Sequence, residues 1–502
     1  IFELLQAGAD DDVAIAGLDR PVLTYSVLRA LVSQTAAALN GLGFGRNDRV
    51  AIVLPNGPQM ATVFVAASAC TTIAPLNPAY KKDEYDFYLA DLDARALIVE
   101  KGSDSPAVQS AFEQDIAVLE IDADPDDPAG AFTFVGAQAD ATADPSIMAG
   151  PEDTALVLHT SGTTSHPKIV PLSHANVCAS AANIQETLCL DTDDICLNVM
   201  PLFHIHGLMA AILATLGKGS SVWCSTGFDA LRFFSWLQEA NPTWYTAVPT
   251  MHQAILARAK RNADIVAGTR LRFIRSSSSS LPTQVLHELE DTFGVPVVEA
   301  YAMTEASHQM TCNQLPPGMR KPGTVGCAAG PEVAVMHVTK SELLAKGETG
   351  EVVIRGENVT IGYENNPDAN AACFVDGWFR TGDQGVMDED GYLTITGRLK
   401  EIINRGGEKI SPREVDDVLM DHSAVQQVVT FAMPHKSLGE EVAAVVVLRE
   451  GESADEASIR SFAAERLASF KVPRKVLIMD DIPKGATGKL QRIGLAEKLG
   501  LG

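Results

Sequence analysis

The sequence predicts an α/β protein with a large N-terminal domain of layered sheets, a β subdomain, and a small α+β domain at the C-terminus. Up to about residue 350, apolar runs of strand length alternate with helical stretches. Short β segments rich in Gly and Asp follow, and a compact mixed unit begins after residue 398. Alternating strands and helices are typical of a parallel sheet covered by helices. Single cores rarely grow beyond about 250–300 residues, so a chain of 502 residues is expected to contain more than one domain.

In the N-terminal part, each strand is predicted from a short apolar run beside a helical stretch or a turn. A helix is expected over 58–70, directly after the first of these strands. The predicted strands lie at 50–54, 96–99, 117–121, 155–158, 222–224, 244–248, 271–274 and 297–299.

From about residue 350 the alternation of strands and helices gives way to short β segments. The segments EVVIRG and GYLTITGR predict a β subdomain, and a smaller α+β unit follows it. We therefore expect one domain at 1–397 and a second at 398–502. In the second, helices are predicted at 412–419 and 454–468, and strands at 425–431, 442–448 and 475–479.

Composition and charge exclude several classes of protein. With 46% hydrophobic and 21% charged residues, the chain is an ordinary globular protein. A formal net charge of −25 argues against sequence-independent binding to nucleic acid or to an anionic membrane surface. No apolar run reaches the ~18–20 residues of a membrane span. The numbering begins at Ile1 without a methionine, so we expect that the native N-terminus is missing or was removed, and that a short targeting segment could have gone with it.

The eight cysteines are scattered and include no CxxC pair. This pattern favours reduced, buried thiols over a disulfide framework or a zinc site. We therefore expect a cytoplasmic protein.

The strand at 155–158 leads into a loop, TSGTTSHPK, at 160–168. Small residues leave backbone N–H groups free to wrap a phosphate, and the hydroxyls and Lys168 add donors and a positive charge. Taken alone, such a run is as often a flexible loop, and it lacks the GxxxxGK[ST] pattern of nucleotide hydrolases. The expected phosphate ligands are Thr160, Ser161, Gly162, Thr163, Thr164, Ser165 and Lys168.

Four further motifs follow in order: YAMTE at 301–305, FRTGD at 379–383, GRLKEIINRGGEKISPREVD at 397–416, and PKGATGK at 483–489. Together with the loop they resemble the adenylate-forming acyl-CoA synthetases over essentially the full length. One departure is Ser165, where many relatives carry glycine. Ser165 and the segments PLFHIHGL, TWYTAVPT and EAYAMTEASH are similar to one branch of that family, the oxalate–CoA ligases.

The resemblance implies a two-step reaction. A carboxylate attacks the α-phosphate of ATP to give an acyl-adenylate and diphosphate, and the CoA thiol then attacks the adenylate. Lys489 corresponds to the adenylation lysine, and Glu305 to a carboxylate that holds Mg²⁺, a cation that usually takes few protein ligands beside phosphates. Thr304 and Lys168 complete the implied catalytic group. The implied ATP-binding residues beyond the loop are Ser278, Glu299, Ala300, Tyr301, Thr304, Asp383, Arg398 and Lys489.

The resemblance also implies a mobile C-terminal domain. Lys400 corresponds to the hinge about which that domain rotates in relatives. Gly406 and Gly407 would line the pantetheine tunnel, where side chains would block passage. Arg474 and Lys475 are candidates for the nucleotide end of CoA.

The acid-binding residues suggest a small, polar acid. Ala302 replaces the glycine that relatives with long or aromatic substrates commonly carry, and its Cβ narrows the pocket. Histidines and serines suit a second carboxylate, because a buried charge without donors is costly. Taken singly, each histidine is equally compatible with a core position, and on an extended segment only one of the first two faces the site. The predicted acid-binding residues are His204, His206, Ser276, Ser278, Ala302 and His308.

These features predict an oxalate–CoA ligase that uses ATP, Mg²⁺ and coenzyme A. The same ligation on glycolate, another short acid, or a medium-chain or aromatic acid stays open. An adenylation module that loads a carrier protein, or an inactive binding protein, is less favoured, because the chain ends soon after Lys489 and keeps the catalytic set. No nucleic-acid or membrane partner is expected, and monomer and dimer remain equally open.

Overall fold

A computed structural model of the protein describes residues 1–136, 147–160, 167–483 and 490–502. Its first sheet is parallel at the centre, with antiparallel strands at both edges. The burial of both faces explains why its central strands read as continuous apolar runs. In spatial order the strands are Thr133–Phe134, Ala117–Asp122, Ala96–Glu100, Arg49–Ile52, Thr72–Pro75, Thr154–Thr160 and Lys168–Ser173.

The second sheet carries most of the candidate site residues. Its central strands are parallel and their carboxyl ends meet at one edge, which is where open α/β sheets bind ligands. In spatial order its strands are Cys327–Ala328, His308–Cys312, Val297–Met303, Phe273–Ser277, Trp244–Ala247, Ile195–Asn198, Ser221–Cys224, Val13–Gly17 and Leu23–Thr24.

One helix lies between the two sheets. Pro58–Ser68 contacts strands of both, and its residues from Met60 onward are buried around the whole circumference. A helix that is apolar on all sides is expected in such a position. Pro58 stands at the first turn, where its missing N–H breaks no helical hydrogen bond.

Two smaller sheets follow. The β subdomain contains Glu332–Met336, Thr349–Arg355, Trp378–Met387, Phe374–Val375 and Leu393–Arg398. The C-terminal sheet contains Glu408–Ile410, Ile403–Arg405, Gly439–Leu448, Val425–His435 and Lys475–Ile478.

The α-helices pack against these sheets, and within the described ranges none is long and apolar enough to cross a membrane. They are Tyr25–Gly41, Pro58–Ser68, Lys82–Asp91, Pro106–Glu113, His174–Thr187, Ala214–Leu216, Phe233–Ala240, Pro249–Ala259, Ala263–Ala267, Thr283–Phe293, Pro367–Cys373, Pro412–Met420, Glu456–Ala464 and Leu495–Lys498. The described residues also form a π-helix, His206–Leu213, and 3₁₀ turns at Phe2–Ala7, Lys260–Asn262 and Thr304–Ala306.

The predicted fold class is confirmed, and the predicted strands agree with the observed ones to within a few residues. The two predicted domains touch through an ion pair between Arg449 Nη2 and Glu288 Oε1 at 3.0 Å. A hydrogen bond from Gln253 Nε2 to the Gln426 carbonyl, 2.9 Å long, adds to this contact. The exact boundary at 397/398 stays a prediction.

Candidate active site

The acid side of the candidate site is a cluster of buried polar side chains at the carboxyl ends of the second sheet. His206 is fully buried and its Nδ1 lies 3.0 Å from Ser278 Oγ. Its ring stacks on that of His308, with the centroids 4.8 Å apart. Three of the residues predicted to bind the acid, His206, Ser278 and His308, therefore meet in space.

The first two predicted histidines do not lie on an extended segment. The chain makes a turn at His204 and starts a helix at Ile205, so strict alternation does not apply. His204 is half-buried, and its Nδ1 accepts a hydrogen bond from the backbone N–H of His206 at 3.3 Å. His206 is thus the member of the pair that joins Ser278 and His308.

Sequence reasoning missed an arginine beneath this cluster. Arg275 is fully buried in the strand Phe273–Ser277, and its Nη1 lies 3.4 Å from both His206 Nε2 and Thr246 Oγ1. Its Nη2 donates to Gln309 Oε1 at 3.1 Å. Burial lowers the pKa of this guanidinium, but an arginine starts so high that it stays charged. The available signal was an arginine that directly follows the apolar pair Phe273 and Ile274 of a predicted strand.

The structure does not bring Ser276 to this cluster. Along the strand, Arg275 lies opposite Val298 and Ser276 lies opposite Glu299. Because neighbouring residues of a strand point to opposite faces, Ser276 shares the far face with Glu299. Ser276 is fully buried there. The period of two therefore separates Ser276 from Arg275, and the predicted contact of Ser276 with the acid stays a prediction.

Glu299 supports the serine-rich loop from below. The carboxylate is buried, and its Oε1 accepts a hydrogen bond from the backbone N–H of Leu281 at 2.9 Å. Burial raises the pKa of Glu299 to about 7. The next residue, Ala300, pairs with Ser277, whose hydroxyl donates to the Ala300 carbonyl at 2.9 Å. Glu299 and Ala300 thus hold the backbone on the two sides of Ser278, at Leu281 and at Ser277.

The predicted nucleotide residues Tyr301, Asp383 and Arg398 form a connected group. Asp383 is buried, and its Oδ1 accepts from Arg398 Nε at 2.9 Å while its Oδ2 accepts from the Tyr301 hydroxyl. Burial and the adjacent carboxylate raise the pKa of Tyr301, so the hydroxyl remains a donor. The neighbour of Tyr301, Ala302, is half-buried and pairs with Gln309 across the sheet. Three residues predicted from separate motifs are therefore adjacent.

The phosphate side is organised by Tyr363, which sequence reasoning also missed. Its hydroxyl donates to Glu305 Oε1 at 2.7 Å, and Lys168 Nζ lies 4.2 Å above its ring. Thr304 and Glu305 begin a short 3₁₀ turn, and Thr160 pairs with Lys168 across two adjacent strands. Ser161, Gly162, Thr163, Thr164 and Ser165 lie outside the described residues.

The surroundings of Glu305 are compatible with its predicted role as a magnesium ligand. The carboxylate is 7% exposed, close to the ring that holds Lys168. Nowhere in the described ranges do three or more His, Cys, Asp or Glu side chains gather into a metal site. A single carboxylate beside phosphate oxygens is the common arrangement for Mg²⁺.

The two glycines predicted to line the CoA tunnel lie in the turn of a hairpin in the C-terminal sheet. Gly406 and Gly407 turn between Ile403–Arg405 and Glu408–Ile410 with φ of 59° and 102°, a region that favours glycine. A Cβ on Gly407 would meet nothing within 4 Å. Lys400 is exposed in the preceding turn.

Other C-terminal residues are paired or exposed. Arg474 is exposed, and Lys475 Nζ pairs with Glu456 Oε2 at 2.9 Å. Lys489 lies outside the described residues, but three positions later Arg492 Nη2 pairs with Asp416 Oδ2 at 2.6 Å. This ion pair joins the described residues at the C-terminus to the helix Pro412–Met420.

Comparison with known families gives a match over most of the chain. The model of the AMP-binding enzyme family matches residues 4–364, and that of the AMP-binding enzyme C-terminal domain matches residues 414–489. The chain belongs to the AMP-binding enzyme family. Its sequence-based identification as an AMP-forming acyl-CoA synthetase is confirmed.

Among curated relatives of this family member, the oxalate–CoA ligase of Arabidopsis thaliana is 45% identical over 477 residues, covering 94% of this chain and 92% of the relative. The oxalate–CoA ligase of Saccharomyces cerevisiae is 42% identical over 476 residues, covering 90% and 87%. Among solved structures, that of ATP-bound MatB from Rhodopseudomonas palustris superposes with a TM-score of 0.88 at 30% identity, covering 99% and 98% of the two chains.

Proposed function

We propose that this AMP-forming ligase converts oxalate, ATP and CoA into oxalyl-CoA, AMP and diphosphate. The observation that carries the choice of acid is the chemistry of the pocket. A buried guanidinium, two stacked imidazoles and a hydroxyl converge where an apolar acyl chain would need carbon surface. Oxalate is short and carries a second carboxylate that accepts hydrogen bonds from such groups. The identity to oxalate–CoA ligases from a plant and a yeast supports the same acid.

In the first step, one oxalate oxygen attacks the α-phosphorus of ATP, and diphosphate leaves. Thr304 and the phosphate loop ending at Lys168 orient the phosphates, and Lys489 balances the charge that develops at the reacting oxygens. Asp383 binds the ribose, a role suited to an ionised acceptor. Tyr301 offers its ring to adenine. Mg²⁺ held by Glu305 would neutralise phosphate charge when bound.

In the second step, the CoA sulfur attacks the activated carbonyl carbon, and AMP leaves. We assign the hinge to Lys400, which stands in an exposed turn between the β subdomain and the C-terminal sheet. Rotation there would withdraw Lys489 and bring Gly406 and Gly407 to the adenylate. Exposed Arg474 suits the phosphates of CoA better than Lys475, whose ammonium is already paired.

We place this activity in the cytoplasm, because the eight cysteines are free thiols.

The alternative acids are separated by a direct test. Diphosphate release and thioester formation are measured with ATP, Mg²⁺ and CoA for oxalate, glycolate, acetate, hexanoate and coumarate. The proposal expects oxalate to have the highest kcat/KM. Preference for glycolate, acetate or a larger acid would contradict it, and release of diphosphate without a CoA thioester would point to a carrier protein.

A further inference from the structure

We propose that Arg275 makes the site selective for a dianionic acid, because it orients His206 and supplies the positive charge that balances the acid's second carboxylate. The inference rests on the proposed oxalate–CoA ligase activity and adds a specificity-determining residue to it. Arg275 acts through His206 and Thr246, so it is a positioning residue.

The charge of Arg275 is not balanced by the described part of the protein. Arg275 is fully buried, and in the described part of the chain no carboxylate lies within ion-pair distance of it. Its contacts are a hydroxyl, an imidazole and an amide oxygen, all neutral acceptors. Its Nε has no hydrogen-bond partner among the described residues. A buried cation is costly without an opposite charge, so an anionic ligand is the natural complement of this pocket.

The hydrogen bonds around His206 run in one direction, from Arg275 towards Ser278. A guanidinium has only donors, so Arg275 donates to Thr246 Oγ1 and towards His206 Nε2, each 3.4 Å away. Thr246 Oγ1, 2.6 Å from His206 Nε2, then donates its own hydrogen to that nitrogen. With Nε2 accepting, the hydrogen of the neutral imidazole is on Nδ1. It points to Ser278 Oγ at 3.0 Å.

This series of hydrogen bonds ends at the hydroxyl of Ser278. Because Ser278 Oγ accepts from His206, the Ser278 hydroxyl hydrogen is available to an outside acceptor. Ser278 is half-buried, and its φ of 73° turns the chain out of the strand at the ligand-binding edge of the sheet. Hydrogen bonds aligned in one direction strengthen each other. They project the charge of Arg275 towards an anion at Ser278.

The orientation of the arginine is itself fixed. Gln309 Oε1 accepts from Arg275 Nη2 at 3.1 Å. The amide nitrogen of Gln309 faces the hydroxyl of Thr187 at 3.1 Å and the carbonyl of Ala329 at 3.3 Å, so the amide oxygen must face the arginine. Such a dedicated support is expected for a group whose position matters.

The test compares oxalate with glycolate, which keeps two carbons and one carboxylate but has CH₂OH in place of the other. Arg275→Met keeps a similar volume and removes the charge, whereas Arg275→Lys keeps the charge. We expect Arg275→Met to lower kcat/KM for oxalate roughly 10- to 100-fold. The value for glycolate should change less than about 3-fold, and Arg275→Lys should recover part of the oxalate preference. Arg270→Met, an exposed arginine on the approach to the same strand, is the matched control.

An equal loss with both acids, or an unchanged ratio, would overturn the proposal. Arg275→Met leaves the buried Gln309 Oε1 without its donor, so its unfolding temperature is measured beside that of wild type to show that the variant is folded. If that variant does not fold, Arg275→Lys decides, since equal loss with both acids contradicts a charge-based role. Failure of wild type to use oxalate would refute the proposed function, a result distinct from an unchanged ratio in an enzyme that does use it.

Discussion

Two arginines of the site have opposite surroundings. Arg398, on the nucleotide side, has a half-exposed side chain and pairs with Asp383 at 2.9 Å. Arg275, on the acid side, is fully buried and is held by neutral groups. Charges that leave water are normally paired, so the more buried arginine is the one expected to have the carboxylate. The reversal indicates that the nucleotide side is balanced by the protein itself, whereas the acid side is balanced by its substrate.

The largest effect is expected on the balanced side. Asp383→Ala removes the acceptor of Arg398 and Tyr301 and the proposed ribose contact. Charge-assisted hydrogen bonds are worth about 1.5–3 kcal/mol each, so ATP–diphosphate exchange should fall at least ~100-fold. The ratio of oxalate to glycolate turnover should not change, because the acid side is intact. A changed ratio would mean that the two regions are not independent. Glu332→Gln, in an exposed ion pair with Arg355, is the control.

The next largest effect separates the two histidines near the acid. His206→Leu breaks the link between Arg275 and Ser278, and kcat/KM for oxalate should fall roughly 10- to 100-fold. His206→Asn keeps a donor towards Ser278 and should lose less. His204→Asn should cost less than His206→Leu, because the ring of His206 stacks on His308 and contacts Ser278. Steady-state kinetics with oxalate and glycolate would show this order, and a larger effect at His204 would contradict the assignment.

A smaller effect is expected at Tyr363. Tyr363→Phe removes the hydrogen bond to Glu305 and keeps the ring below Lys168, so ATP turnover should fall only about 3- to 10-fold. Tyr363→Leu removes both contacts and should cost more. The measurement is kcat/KM for ATP–Mg²⁺ at saturating oxalate. Equal values for the two variants would show that the ring contact contributes nothing.

The smallest effect on turnover is expected from Glu299, whose influence is on stability. Burial raises its pKa from 4.5 to about 7, so between these values the folded state holds a proton that the unfolded chain has lost. Its contribution to stability therefore falls as pH rises through this window, and the cost is complete above pH 7. Glu299→Gln should stabilise the protein at pH 8 by about 3 kcal/mol, since each pKa unit is worth about 1.4 kcal/mol.

Urea denaturation of wild type and Glu299→Gln between pH 5.5 and pH 8.5 provides the measurement. The difference in free energy of unfolding should grow with pH and level off above pH 7. A difference that does not depend on pH would show that Glu299 is ionised throughout.

Much of the fold could be predicted from the sequence, because buried parallel strands leave continuous apolar runs. The strands Ala96–Glu100 and Trp244–Ala247 lie within two residues of their predicted positions. On the nucleotide side, Tyr301, Asp383 and Arg398 belong to contiguous motifs whose meeting the resemblance implied. Each strand and each motif can be recognised within one short stretch of sequence.

The acid side could be predicted only in part. Arg275, Thr246 and Gln309 come from three strands, and their meeting depends on strand order and register, which no single segment records. The conformation near His204 was also unpredictable, since an alternating pair of histidines suits a strand and a helix start equally. The face on which Ser276 lies was not predictable either, because a run of identical residues hides which ones share a face.

The most direct test of the account is a competition between oxalate and glycolate at equal concentration, with ATP, Mg²⁺ and CoA, in which the two thioesters are quantified by mass spectrometry. We predict that oxalyl-CoA dominates with the wild-type enzyme and that Arg275→Met shifts the product ratio towards glycolyl-CoA by at least about 3-fold. Equal amounts of the two thioesters from wild type, or a ratio that does not move in Arg275→Met, would contradict the claim that substrate charge balances the buried arginine.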